Sequence, residues 1–183
     1  MWKWIGLGFL AAVGVFCVVV ALQPSEFAVK RSLSMQAPPA AVFAEVEDFH
    51  KWPRWSPWEK LDPSMKKDFS GPPAGVGSSY HWVGNDQVGE GRMTIRRADV
   101  PSRIEIELVF IEPWAATNPT TFTFEPEGTG TRTTWSMKGK NDFMGKAFSL
   151  LMDMDALVGA DFEKGLAGLS VAALAGSTPP TSP

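Results

Sequence analysis

Asp155 is the residue of this chain best placed to do chemistry. It stands four residues after Leu151 and three before Val158, on the apolar stripe of a C-terminal segment with helical spacing. A carboxylate on that stripe faces whatever the helix packs on, where burial without a partner is costly and raises the pKa. Such a group serves as an acid, a base or a polar hook for a ligand. The alternatives are a structural pair with Arg or Lys, or a helix turned enough to expose the carboxylate. Asp153 does not complete an acid/base pair, because two residues at about 3.6 per turn leave the two carboxylates roughly 160° apart.

Other chemistries find no residues to carry them. His50 and His81 are the only histidines and Cys17 the only cysteine, so no zinc-site spacing occurs and no internal disulfide can form. His81 alternates out of phase with Tyr80 and Trp82, which turns it to solvent. No Gly-x-Ser-x-Gly elbow, P-loop or dinucleotide fingerprint is present, and Gly89-Glu90-Gly91 and Gly128-Thr129-Gly130 read as hairpin glycines. Neither metal nor cofactor is implied. A net charge of -3 and a pI near 5.4 offer no basic face for phosphate backbones, so nucleic acid is not an expected partner.

What the composition does offer is aromatic surface with few hydroxyls: eight Trp and twelve Phe stand against one Tyr. Large apolar rings of this kind suit a wide core or a cavity wall. Three of the Trp fall in the seven residues Trp52 to Trp58, too dense for an ordinary surface loop. That run either joins the core or forms a cavity rim or membrane-dipping loop.

Positioning these side chains requires an order of elements that the patterning supplies. Phe27 to Met35 alternates as a strand, Ala37-Pro38-Pro39 stops it, and Ala40 to Val46 reads as a helix entered through proline. A second helical turn follows across Asp48 to Trp55. From Lys66 to Lys140 the signals are all of strand and turn type, with Ile104, Ile106, Leu108 and Phe110 alternating with Glu105 and Glu107. Phe143 to about Ala175 has the spacing of one long helix, started by Asn141-Asp142 as cap. Its glycines, 145, 159, 165 and 168, mark close packing, a bend or a loosened lid, since each costs about 1 kcal/mol relative to alanine.

Ahead of the domain, Trp4 to Leu22 carries no charged or strongly polar side chain. As a helix it spans about 28 Å, close to the ~30 Å of a bilayer's hydrocarbon. A cleaved signal peptide is the rival reading, but this run exceeds the roughly 7 to 15 residues of a signal h-region. The expected organisation is a tail at 1–3, a transmembrane anchor at 4–22, a linker at 23–26, one domain at 27–175 and a Pro/Ser/Thr tail at 176–183. The expected localisation is a single-pass membrane protein with the domain extracytoplasmic; oligomeric state stays open.

The strand, short helices, antiparallel strands and long C-terminal helix together resemble the helix-grip fold of the SRPBCC or START-like superfamily. The segments Ala37 to Phe43, Trp52 to Trp58, Gly139 to Met144 and Asp161 to Leu166 are similar to a bacterial polyketide-cyclase or dehydrase-like subgroup, in which an N-terminal anchor also occurs. The resemblance implies an α+β domain, a curved antiparallel sheet of about seven strands gripping the C-terminal helix around a cavity. It brings no catalytic residue, because functions across the superfamily, from lipid transfer to cyclisation, share no single motif.

In that fold, Trp58, Tyr80, Trp82, Met93, Leu108, Phe110, Phe122, Phe124, Trp135, Met137, Phe148, Leu151, Met152 and Asp155 are the expected ligand-lining residues. Periodicity alone does not separate a cavity wall from a filled core. The leading expectation is a membrane-anchored protein holding a small hydrophobic ligand, such as a lipid, isoprenoid or aromatic. The alternatives are a cyclase or dehydratase using Asp155 with Tyr80 or Asn118, and a non-catalytic stress or adaptor domain acting through its surface.

Overall fold

The computed structural model describes residues 2–150 and 153–177. Helix α1 (Trp2–Ala21) leads into strand β1 (Glu26–Met35). Helix α2 (Pro39–Val46) and two 3-10 turns (Phe49–Arg54 and Trp58–Lys60) follow. Strands β2 (Lys66–Ser70), β3 (Ser79–Val83), β4 (Glu90–Asp99), β5 (Arg103–Glu112), β6 (Ala116–Glu127) and β7 (Gly130–Lys140) come next. Helices α3 (Phe143–Ser149) and α4 (Met154–Ser177) close the chain.

All seven strands make one antiparallel sheet in the order β1-β7-β6-β5-β4-β3-β2. Successive hairpins from β2 to β7 give this order directly, and β1 closes it by pairing with β7 from Glu26↔Lys140 to Met35↔Thr131. The α+β helix-grip architecture expected from the sequence is therefore present. On the concave face, alternate residues of each strand meet α2, the 3-10 turns and α4, as the two-residue period of a strand requires. Val29, Ile95, Ile104, Ile106, Phe122, Phe124 and Trp135 are buried there with Phe43, Phe49, Phe162, Leu166 and Leu169.

Local signals explain the helices. Pro39 opens α2 at a position whose N–H would be unpaired in any case. Asp48 accepts from the backbone N–H of His50 to start the first 3-10 turn. Asp142 accepts from Gly145 N at 2.7 Å and caps α3, as its place in the sequence implies.

The single helix expected from Phe143 onward is two. Ser149 Oγ donates to the Lys146 carbonyl at 2.8 Å, a local bond that competes with helix continuation. Asp153 then accepts from Ala156 N at 3.0 Å and starts α4 afresh. The three-and-four spacing of apolar residues runs across this break, which is why periodicity alone read through it. Leu151 and Met152 lie outside the described residues.

Candidate ligand-binding site

The concave face has two halves of different character. Around the α2 and 3-10 end it is filled by rings: Trp135 stacks on Phe162 at 4.1 Å, Phe122 lies 4.7 Å from Trp135, and Trp52 lies 4.5 Å from Trp55. Trp58 meets the Trp135 and Phe162 rings edge-on. The Trp52–Trp58 run is thus part of the core, with Trp52 and Trp55 buried and Trp58 partly so. Trp52 and Trp55 also tie their indole N–H groups to the Val46 and Glu45 carbonyls, pinning the run onto the end of α2. Among the described residues, Trp135 Nε1 is a buried polar atom with no hydrogen-bond partner.

Toward the other end the cover thins. Along β5, Ile104 and Ile106 are buried, whereas Leu108 and Phe110, on the same face, are only half-buried. The register carries a lateral row across this region, Tyr80↔Met93, Met93↔Leu108 and Leu108↔Asn118. A second row runs Ile95↔Ile106, Ile106↔Thr120 and Thr120↔Met137. Trp82 lays its ring across Gly91, where a Cβ would come within 2.4 Å of it, and meets Phe110 edge-on. Two buried polar side chains, Asn118 and Thr120, stand among these apolar neighbours; among the described residues Asn118 Nδ2 has only the Met137 sulfur at 3.8 Å, a weak acceptor. Thr120 and Phe27, which packs against the face where Gly139 has no Cβ, were not anticipated from periodicity.

Of the residues singled out from the sequence, Tyr80, Trp82, Met93 and Met137 are buried on this part of the face, and only Leu108 and Phe110 are half-buried. Phe122, Phe124 and Trp135 belong to the filled half, with Trp58 edge-on to Trp135. Phe148 is not enclosed: it sits half-exposed on α3 with its ring 6.3 Å from Trp114.

The expected burial of Asp155 is corrected by the structure. Asp155 lies in the first turn of α4, more than half exposed, and meets the guanidinium of Arg31 rather than the sheet. Arg31 on β1 passes beneath α4 at Gly159, where a Cβ would come within 1.9 Å of Nη2. It donates to both Asp155 oxygens at 3.0 Å, to the Asp155 carbonyl at 2.9 Å and to Glu163 Oε1 at 2.8 Å. Hydrogen bonding from Arg31 holds the Asp155 carboxyl below the usual aspartate range, opposite to the upward shift expected. The break before α4 turns this residue to the rim, which no phase count across a continuous helix could foresee.

A depressed native pKa fixes the direction of the pH effect. The clamp contributes fully above about pH 4, the ordinary aspartate value, and is lost as pH falls through the lower native value. Asp155→Asn should therefore lower the thermal midpoint at pH 7, and the two proteins should converge in acid. The shift is small, because an exposed pair is screened by water. Thermal melts of both proteins across this range check it; a constant gap would show that Arg31 does not act through this charge.

A second polar cluster was missed in the sequence. Tyr80 Oη donates to Glu59 Oε1 at 2.8 Å, and Lys67 pairs with the other Glu59 oxygen beneath the Trp58–Lys60 turn. Burial first, and then the Glu59 carboxylate, push the Tyr80 phenol up. Every member has a partner, so the cluster locks the turn over β2 and β3. His81, set opposite Tyr80 in the alternation, is partly exposed and pairs with Glu90 at 3.0 Å. Among the described residues no group of His, Cys, Asp and Glu could hold a metal ion.

Comparison with known families bears on this geometry. The sequence profile described as polyketide cyclase / dehydrase and lipid transport matches residues 26–173. The chain belongs to that family. The match runs from the first residue of β1 almost to the end of α4, so the polyketide cyclase/dehydrase and lipid transport domain is the whole grip, with α1 outside it.

Solved structures share the fold at low identity. Protein CV1439 from Chromobacterium violaceum matches with a TM-score of 0.57 at 17% identity, covering 79% of this chain and 94% of that one. The Aha1 dimer from Colwellia psychrerythraea gives 0.59 at 14% identity, covering 83% and 99%. Protein TTHA0849 from Thermus thermophilus gives 0.57 at 22%, covering 83% and 100%. No curated protein matches the chain.

Proposed function

We propose that this family member is a membrane-tethered binding protein that holds a small ligand, apolar in body and carrying a hydrogen-bonding group, between the less covered half of the sheet and the C-terminal helix. The observation that carries the reading is the lapse in cover along β5. The inward alternation continues through Leu108 and Phe110, but the helix layer that buries Ile104 and Ile106 does not. Apolar surface on the concave side of a grip, beside two buried polar side chains, has the composition of a ligand site. Asn118 and Thr120 would orient the polar group, and Trp82, Met93, Leu108 and Phe110 would cover the apolar body.

The tether is α1, a 20-residue helix whose apolar side chains are exposed along most of its length. Length and composition suit either a membrane span or a signal sequence, and its length beyond a signal h-region favours the span. An apolar ligand partitions into the bilayer, so a tethered domain meets it at high local concentration. A domain carried on the extracytoplasmic side is part of the same reading. Asp155 does not favour the cyclase alternative: a carboxyl ionised against Arg31 and open to water is a poor proton donor at neutral pH.

The full chain, extracted in mild detergent, should carry a defined lipid or aromatic detectable by native mass spectrometry and organic extraction. Leu108→Trp should displace it and abolish uptake of an apolar fluorophore while leaving the thermal midpoint near that of the parent. A protein that is empty and takes up no apolar fluorophore would overturn the binding reading.

A further inference from the structure

The end of the domain nearest α1 carries apolar side chains that the fold leaves uncovered. On α3, Phe143 and Phe148 are about half exposed and Met144 is 72% exposed; on the β5–β6 hairpin, Trp114 is 76% exposed. They are one patch, since the Trp114 and Phe148 rings lie 6.3 Å apart. Isolated exposed apolar residues need no explanation, but a contiguous group including two Phe and a Trp does.

The chain path says what covers it. β1 begins, β7 ends and β6 begins at the same end of the sheet: Glu26 pairs with Lys140, and Asn118 lies against Gly139. The end of α1 is held there too, because Lys146 of α3 donates to the Ala21 carbonyl at 3.3 Å. Only the four residues Leu22–Ser25 separate α1 from β1, and fully extended they reach at most about 14 Å. If α1 crosses the bilayer, α3 and the Trp114 hairpin are confined to the level of the headgroups.

We propose that α3 and the Trp114 hairpin form a membrane-docking platform, inserting Trp114, Phe143, Met144 and Phe148 into the interfacial layer of the bilayer that holds α1. The proposal rests on the tether reading and adds to it an orientation of the domain. Short amphipathic elements and Trp side chains settle at the headgroup–acyl boundary, where an apolar ring and a polar edge are both satisfied. Phe110 pairs with Ala116 at the root of the Trp114 hairpin, so the less covered half of the grip lies at the end that the platform turns to lipid. At the opposite end of the sheet, Val100 in the β4–β5 turn is 73% exposed, roughly 30 Å away along strands rising about 3.4 Å per residue.

The test uses the full chain in phosphatidylcholine vesicles, with brominated phosphatidylcholine as quencher and an environment-sensitive fluorophore on single cysteines. In a Cys17→Ser background, Met144→Cys and Trp114→Cys each carry the label, Val100→Cys serves as the distant control, and native Cys17 in the parent reports on α1. The labels at 144 and 114 should emit blue-shifted light and lose emission to bromines near the headgroups, while the label at 100 should be unaffected. If the labels at 144 and 114 behave like that at 100 while Cys17 is quenched from deep in the chains, the platform is wrong and the tether stands. If Cys17 also escapes quenching, the tether fails and the platform with it.

Discussion

Trp135→Ala should remove about 4 kcal/mol of unfolding free energy, within the ~3 to 5 kcal/mol typical of deleting a large buried ring. The indole is 3% exposed, stacked 8° from parallel on Phe162 at 4.1 Å and flanked by Phe122 at 4.7 Å. Trp52, Trp55 and Trp58 meet it edge-on between 5.6 and 6.4 Å. Rings fixed on a sheet, a 3-10 turn and a helix cannot all close on the space that its removal leaves. A domain of ordinary stability has only about 5 to 15 kcal/mol in total, so the variant should be marginal. Trp135→Phe is the informative companion: it gives up an N–H that has no acceptor and keeps most of the stacking, so it should cost less than half as much. Urea denaturation of the three proteins in the same detergent checks the ordering. A cost below about 1 kcal/mol for Trp135→Ala would contradict close packing at this position.

That expectation separates two tasks within one concave face. The rings around Trp135 and Phe162 hold α4 against the sheet, so the half bearing Leu108, Phe110, Asn118 and Thr120 need not be filled for the domain to fold. A structural variant in the first half and a space-filling variant in the second should therefore part company, one changing stability and the other uptake.

How much of this was legible in the sequence follows from what repeats locally. Strand alternation is a two-residue signal, and Ile104 to Phe110 displayed it plainly. Asp142 as a cap and Pro39 at a helix start are signals read from neighbours in sequence. The division of the concave face was not legible, because it depends on where α4 crosses the strands. Asp155 shows the limit most sharply. Its spacing from Leu151 and Val158 was sound arithmetic for a continuous helix, but Ser149 ends one helix and Asp153 begins another ahead of Asp155. Both are residue types that bond to nearby backbone, so the break had a signal that apolar periodicity outweighed. Arg31 had none: a cation on the inward phase of β1 carries no local mark of its partners, which lie more than a hundred residues away. Glu59 was hidden for the same reason, because its partner Tyr80 is brought to it only by the fold.

The helix glycines are where sequence left three readings open and the structure chooses by contact. Gly159 makes room for Arg31, Gly165 for the Trp135 ring, and Gly168 for backbone. A Cβ at Gly168 would stand 2.7 Å from the Trp55 carbonyl oxygen and 3.2 Å from its Cα, atoms that no rotamer change can move. Two effects of opposite sign meet here. Alanine in a helix gains about 1 kcal/mol over glycine, while forcing atoms into a packed contact costs about 1 to 3 kcal/mol, occasionally more. Gly168→Ala should accordingly be mildly destabilising. Gly168→Val, with a branched Cβ and weaker helix preference, should cost about 3 kcal/mol by lifting α4 from the 3-10 turn. Gly176 on the same helix is the control, since among the described residues a Cβ there meets only Glu45 Oε1 at 3.5 Å, an ordinary contact. Gly176→Ala should therefore raise stability by a few tenths to about 1 kcal/mol. If denaturation midpoints rise for both alanine variants, α4 does not rest on the Trp55 backbone, and the grip is held by side chains alone.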